Sequence, residues 1–75
     1  MIDLTAVNSS MIAAAGYDPE TYTLVVLFNN GKAYQYQDVP PEEFQGLMDA
    51  ESKGKYMRSQ IIGVYPDAPF RGWGQ

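Results

Sequence analysis

Three cations, Lys53, Lys55 and Arg58, fall within six residues around Tyr56, and two tyrosines, Tyr34 and Tyr36, stand two apart in an alternating run. Cations neutralise phosphates, and aromatic rings on a sheet stack bases. These six residues are the candidate ligand-binding set. There are no cysteines and no histidines. Thiolate chemistry, the commonest general base and the commonest metal ligand are therefore missing. Ser9-Ser10 has no histidine to activate it, so a serine triad cannot form. Glu42 and Glu43 are adjacent, and on a helix they point about 100° apart, which makes no shared acid–base site. No phosphate loop, dinucleotide fingerprint or calcium-loop spacing occurs. The expectation is a binder without catalysis, metal or cofactor.

The elements that must position these side chains follow from the local pattern. Leu4 and Val7 suit a short opening strand or a docked extension, and Asn8-Ser9-Ser10 is a turn signal. Residues 11–17 read as a strand despite their alanines, because the run ends in Gly16 and a turn at Asp18-Pro19-Glu20. Residues 22–28 form the clearest strand, rich in Tyr, Thr, Val and Phe. Tyr22, Leu24, Val26 and Phe28 share one face; Thr23, Val25 and Leu27 share the other. Both faces are largely apolar, so the second should be covered, by this chain or by another copy. Asn29-Asn30-Gly31 turns the chain back. Residues 32–37 then return, with Tyr34 and Tyr36 on one face.

Pro40 and Pro41 stop the sheet, and Pro41 suits the first turn of a helix. Glu42 and Glu43 suit its positive end. Phe44, Leu47 and Met48 make its apolar stripe. Gly46 weakens it by about 1 kcal/mol relative to alanine and leaves room for a close approach. Ser52 caps a second helical segment over 53–61, with Tyr56, Met57 and Ile61 inward. The tail from 62 to 75 carries Pro66, Pro69, Tyr65, Phe70 and Trp73 and is expected to be extended and irregular, packed on its own domain or a neighbour. The fold class is α+β: a small antiparallel sheet of three to four strands, with a central hairpin over 22–37, followed by one or two C-terminal helices.

The chain has 75 residues and a net charge of -4, which leaves room for one domain. Residues 1–52 hold eight acids and one base, a sum of -7; residues 53–75 hold four bases and one acid, a sum of +3. An acidic total excludes a large, salt-driven footprint on duplex DNA. It does not exclude a nucleotide, which needs one or two charge contacts. No apolar run approaches the ~18 residues of a membrane span, and no signal peptide opens the chain. The expected location is the cytoplasm.

The run of Ser9-Ser10, Gly16-Tyr17, residues 24–28, Gly31, Tyr34 and Tyr36, Val39-Pro40, Phe44, Leu47, Ala50-x-Ser52-x-Gly54-x-Tyr56, Ile61 and Tyr65-Pro66 resembles the KTSC domain. That family is named from the C-terminus of some lysyl-tRNA synthetases and also occurs free-standing in bacteria and their phages. The resemblance implies one domain over residues 1–66, with an aromatic, Pro- and Gly-bearing tail over 67–75. It also implies a link to RNA. Two positions depart from the family's pattern: Arg58 stands where asparagine is frequent, and Ile62 where arginine is frequent. The expected function is a non-catalytic module for a nucleotide, either a small signalling nucleotide sequestered by a phage protein or short single-stranded RNA. The alternative is a protein-interaction module, such as a phage accessory factor acting on a host protein. Self-association is expected from the doubly apolar strand over 22–28, the small size and the aromatic tail.

Overall fold

The computed structural model describes residues 3–71. Five strands form one antiparallel sheet in sequence order: β1 (Thr5–Ala6), β2 (Ile12–Asp18), β3 (Thr23–Phe28), β4 (Ala33–Tyr36) and β5 (Asp67–Pro69). Between β4 and β5 come α1 (Pro41–Asp49) and α2 (Lys53–Tyr56), which runs on into a π-helical turn (Met57–Ile61). The α+β class and the central hairpin match expectation. The sheet has five strands rather than three to four: β1 is the short opening strand that Leu4 and Val7 suggested, and β5 is additional.

β5 corrects the expectation of an irregular tail. Tyr34 pairs with Pro69, Gln35 with Ala68 and Tyr36 with Asp67. Pro66 and Pro69 are compatible with this because β5 is an edge strand, where a missing N–H need not serve the ladder. The flanking bonds, Gln37 N–H to the Pro66 carbonyl at 2.9 Å and Phe70 N–H to the Ala33 carbonyl at 3.0 Å, hold it in place. Trp73 of the expected aromatic tail lies outside the described residues.

The turns are built from short polar side chains, as their sequences require. Ser9 Oγ accepts from the Met11 and Ile12 amides at 3.1 and 3.2 Å and starts β2. Asp18 Oδ1 accepts from the Glu20 amide at 2.9 Å. In the β3–β4 hairpin, Asn30 Oδ1 accepts from the Lys32 amide at 2.9 Å, and Gly31 takes φ +89°. Residues 29–31 thus form a three-residue loop closed by a left-handed glycine. Tyr22, expected within β3, instead sits in the preceding turn with φ 57° and is 51% exposed. The apolar face of β3 therefore starts at Leu24.

That face carries the core. Ile12, Ala15, Leu24, Val26 and Tyr36 of the sheet pack with Val39, with Leu47 of α1, and with Met57 and Ile61 of the π-helical turn. β2 reaches it through an irregularity: Ile12 pairs with Phe28 but Ala14 with Leu27, so Ala13 is an extra residue. By strict alternation Ile12 and Ala15 would face opposite sides; the bulge brings both to the core. On the other side of β3, Val25 is 0% exposed and Leu27 is half-buried. The centre of that side is thus covered within a single chain.

Candidate nucleic-acid interface

The six candidate residues separate into two groups. Tyr36 lies opposite Leu24 and Tyr34 opposite Val26, so both rings point to the helix-bearing face. Tyr36 is 2% exposed, and burial, with Asp67 adding to it, pushes its phenol up to about 12. Tyr34 is half-buried and meets Phe28 edge to face, with ring centroids 6.2 Å apart. This pair belongs to the core and its rim, and offers no open stacking platform.

Tyr56 is also occupied. Its phenol crosses Gly46 of α1 and donates a hydrogen bond to Glu43 Oε1. A Cβ at position 46 would lie 2.9 Å from Tyr56 Cζ, so glycine is what lets the ring pass. Tyr65, just past the π-helical turn, donates to the other oxygen, Glu43 Oε2, at 2.9 Å. One carboxylate thus ties α1 to the two ends of residues 56–65. The bond to Glu43, reinforced by burial, pushes the Tyr56 phenol up to about 12. Burial first, and the Glu43 bond second, also raise Tyr65. Glu43 was legible in the sequence only as a helix-start acid. Nothing in the spacing announced that two phenols 13 and 22 residues away converge on it.

The cations behave differently again. Lys53 turns back, its Nζ donating to the Ala50 carbonyl at 3.0 Å, where α1 has ended. Lys55 and Arg58 are exposed, and among the described residues neither is in an ion pair. Ser52 Oγ accepts from the Lys55 amide at 3.3 Å and so starts the helix that carries them. Arg58 Nη1 lies 3.6 Å from Met11 Sδ, over the start of β2. Gly54 makes this approach possible: a Cβ there would stand 3.2 Å from the same sulfur.

Arg58 therefore reaches a polar end of the molecule. The Met11 carbonyl accepts from the Asn29 amide at 2.9 Å, and Asn29 Nδ2 donates to the Ser9 carbonyl at 3.0 Å. The Asn8-Ser9-Ser10 loop, the Asn29–Asn30 tip and Lys32 beside it thus gather near Arg58. None of residues 4–17, 21–37 or 52–66 is acidic. Several acids collect at the far end of the strands, whereas Asp49 at the end of α1 and Glu51 after it stand just before the Ser52 cap of the cationic helix. Asp18 and Glu20 stand in the β2–β3 turn. Asp38, with φ 62°, and Glu42 adjoin it through the Val39 amide, which donates to the Tyr22 carbonyl at 2.9 Å. Tyr17 closes this end, stacked on Phe44 at 5.1 Å with its hydroxyl donating to the Val39 carbonyl. The split between acidic and basic sequence segments becomes a partial polarity along the strands, with Asp49 and Glu51 as the exceptions beside the cationic helix. Among the described residues no group of three or more acidic side chains is placed to hold a metal ion, and no helix is long and apolar enough to cross a membrane.

Comparison with known proteins agrees with this architecture. A protein of Tsukamurella paurometabola is 49% identical over 55 residues, covering 73% of this chain and 82% of that one. A lysine–tRNA ligase of Nostoc punctiforme is 36% identical over 58 residues, which is 77% of this chain but 10% of the ligase. The crystal structure of a KTSC domain protein from Yersinia pestis superposes with a TM-score of 0.91 at 32% identity, covering 95% of this chain and all of that one. The KTSC domain profile itself matches residues 8–65, from the Asn8 turn that Arg58 overlies to the Tyr65 that Glu43 holds, so the chain belongs to the KTSC domain family.

Proposed function

We propose that this domain is a non-catalytic RNA-contact module that holds a phosphodiester backbone on Lys55 and Arg58. The observation that carries the reading is the exposure of these two cations, unpaired, on a stretch of fifteen residues, 52–66, without an acid. The amide- and hydroxyl-rich loops at Asn8-Ser9-Ser10 and Asn29–Asn30 adjoin them and supply neutral donors to phosphate or ribose. The core position of Tyr36 disfavours a small nucleotide held between two stacked tyrosines. The match to a tenth of a lysine–tRNA ligase supports RNA as the ligand, since a short added domain there works beside an enzyme whose name includes tRNA. Two cations make a weak, auxiliary contact: the salt slope for a single strand should be about -1.4, at roughly 0.7 per phosphate neutralised.

Chemical-shift mapping tests this directly. On titration with a single-stranded RNA of about ten nucleotides, the shifts should concentrate at Lys55, Arg58, Asn8 to Ser10 and Asn29 to Lys32. Shifts confined to the acidic end, or none at low salt, would overturn the reading.

A further inference from the structure

The helix that carries the cations also carries an apolar surface that the core does not use. Lys55 on α2, Arg58 and Ser59 on the π-helical turn, and Ile62 at its end are all exposed. The helix ends abruptly. The Ile62 amide donates to the Met57 carbonyl at 2.7 Å, closing the π-helical turn, and Gly63 then takes φ +82°. This left-handed reversal, with the Val64 and Tyr65 amides both donating to the Ile61 carbonyl, throws Val64 outward. Ile62 is 38% exposed and Val64 60%, while Ile61 between the cations and this knob is fully buried. The Tyr65 hydroxyl, held by Glu43 at 2.9 Å, fixes the far side of the turn. The knob is thus braced and solvent-facing, and Ile62 follows Arg58 by four residues.

We propose that Ile62 and Val64 make the apolar contact to unstacked bases while Lys55 and Arg58 hold the adjoining phosphates, so that the site selects single-stranded over duplex RNA. The inference deepens the RNA reading and rests on it. A duplex offers this face phosphates, 2′-hydroxyls and base edges but no open base face, because its bases are stacked and its major groove is too narrow to enter. Two cations alone hold such a ribbon weakly. A single strand can turn a base outward against aliphatic side chains, and the area removed from water adds to the charge contacts. Lys55 and Arg58, exposed and in no ion pair among the described residues, favour a polyanion here over a basic protein surface.

The test uses the full chain, a labelled RNA strand of about ten nucleotides, and the blunt duplex that strand forms with its complement, read by fluorescence anisotropy. The wild-type chain should bind the strand about tenfold more tightly than the duplex. The Ile62→Ser, Val64→Ser double variant should lose about tenfold for the strand, with duplex binding and the salt slope unchanged. Val64→Ser alone, at the more exposed position, should show part of the loss and guards against a folding defect in the double variant, as does a thermal melt. Equal binding of strand and duplex by the wild type, or a serine variant that binds the strand as the wild type does, would overturn the inference alone. Wild-type binding to neither RNA, or undiminished binding by Lys55→Glu, Arg58→Glu, would overturn the RNA reading and this inference with it.

Discussion

Glu43 holds more of this molecule together than its place at a helix start suggests. Its two oxygens take hydroxyls from Tyr56 and Tyr65, and hydrogen bonds to a charged acceptor are stronger than neutral ones. Glu43→Gln keeps the shape and removes the charge, so it should lower unfolding free energy in urea by about 1–2 kcal/mol, half-exposed bonds being worth less than buried ones. The same clamp sets an alkaline limit. An unfolded tyrosine ionises near 10, whereas Tyr36 and Tyr56 do so at about 12, and Tyr17 and Tyr65 are raised as well. The folded state prefers the protonated phenols, so their stabilisation is complete below pH ~10 and is lost as pH rises towards 12. Melting temperature should fall across that window, and less steeply in Tyr56→Phe. The two helical glycines differ in the same terms. Gly46→Ala drives a Cβ into the Tyr56 ring, and an overpacking cost of about 1–3 kcal/mol should exceed the roughly 1 kcal/mol gained in helix propensity. Gly54→Ala meets Met11, whose sulfur can move, and should be close to neutral in a thermal melt while displacing Arg58 from the Met11 thioether.

At the scale of elements, local signals explain most of the outline. The Asn29-Asn30-Gly31 loop, the Pro41 helix start and the Ser52 cap each carry their chemistry in two or three residues, so they read directly from sequence. The Phe44, Leu47, Met48 stripe reads from periodicity, with Leu47 buried and its neighbours packed on the core. Three features did not read, for physical reasons. β5 looked irregular because proline opposes strands, yet an edge position tolerates it. The bulge at Ala13 left no mark, since one alanine in a run of three has nothing to distinguish it. Tyr22 has strand propensity but lies in a turn with φ 57°. Nor could spacing decide between a stacking role and a core role for Tyr34 and Tyr36, because an alternating strand supplies both; the structure buries Tyr36 in the core and leaves Tyr34 half-buried at its rim. The bulge makes its own prediction. Deleting Ala13 restores strict alternation and turns Ile12, 1% exposed, away from the core. The loss should approach that of truncating a buried isoleucine, about 2–5 kcal/mol in urea unfolding.

Over the whole molecule, the net charge of -4 hides a separation along the strand direction. Asp18, Glu20, Asp38, Glu42 and Glu43 gather around the β2–β3 turn and the start of α1, while Asp49 and Glu51 stand just before the Ser52 cap. Lys55 and Arg58 face the Asn8 loop and the β3–β4 hairpin, where no acid stands. Such a polarity orients an approaching polyanion without requiring a basic protein, and salt should weaken it within the reach of the Debye length, about 10 Å at 0.1 M. The central claim is that RNA is held at this end by these two cations. Anisotropy of a short labelled RNA strand, titrated with the wild-type chain and with Lys55→Glu, Arg58→Glu at low salt, tests it most directly. Wild-type binding should be saturable, and the double reversal should reduce it by at least about tenfold, with the fold retained by circular dichroism. Equal binding by the two chains would contradict it.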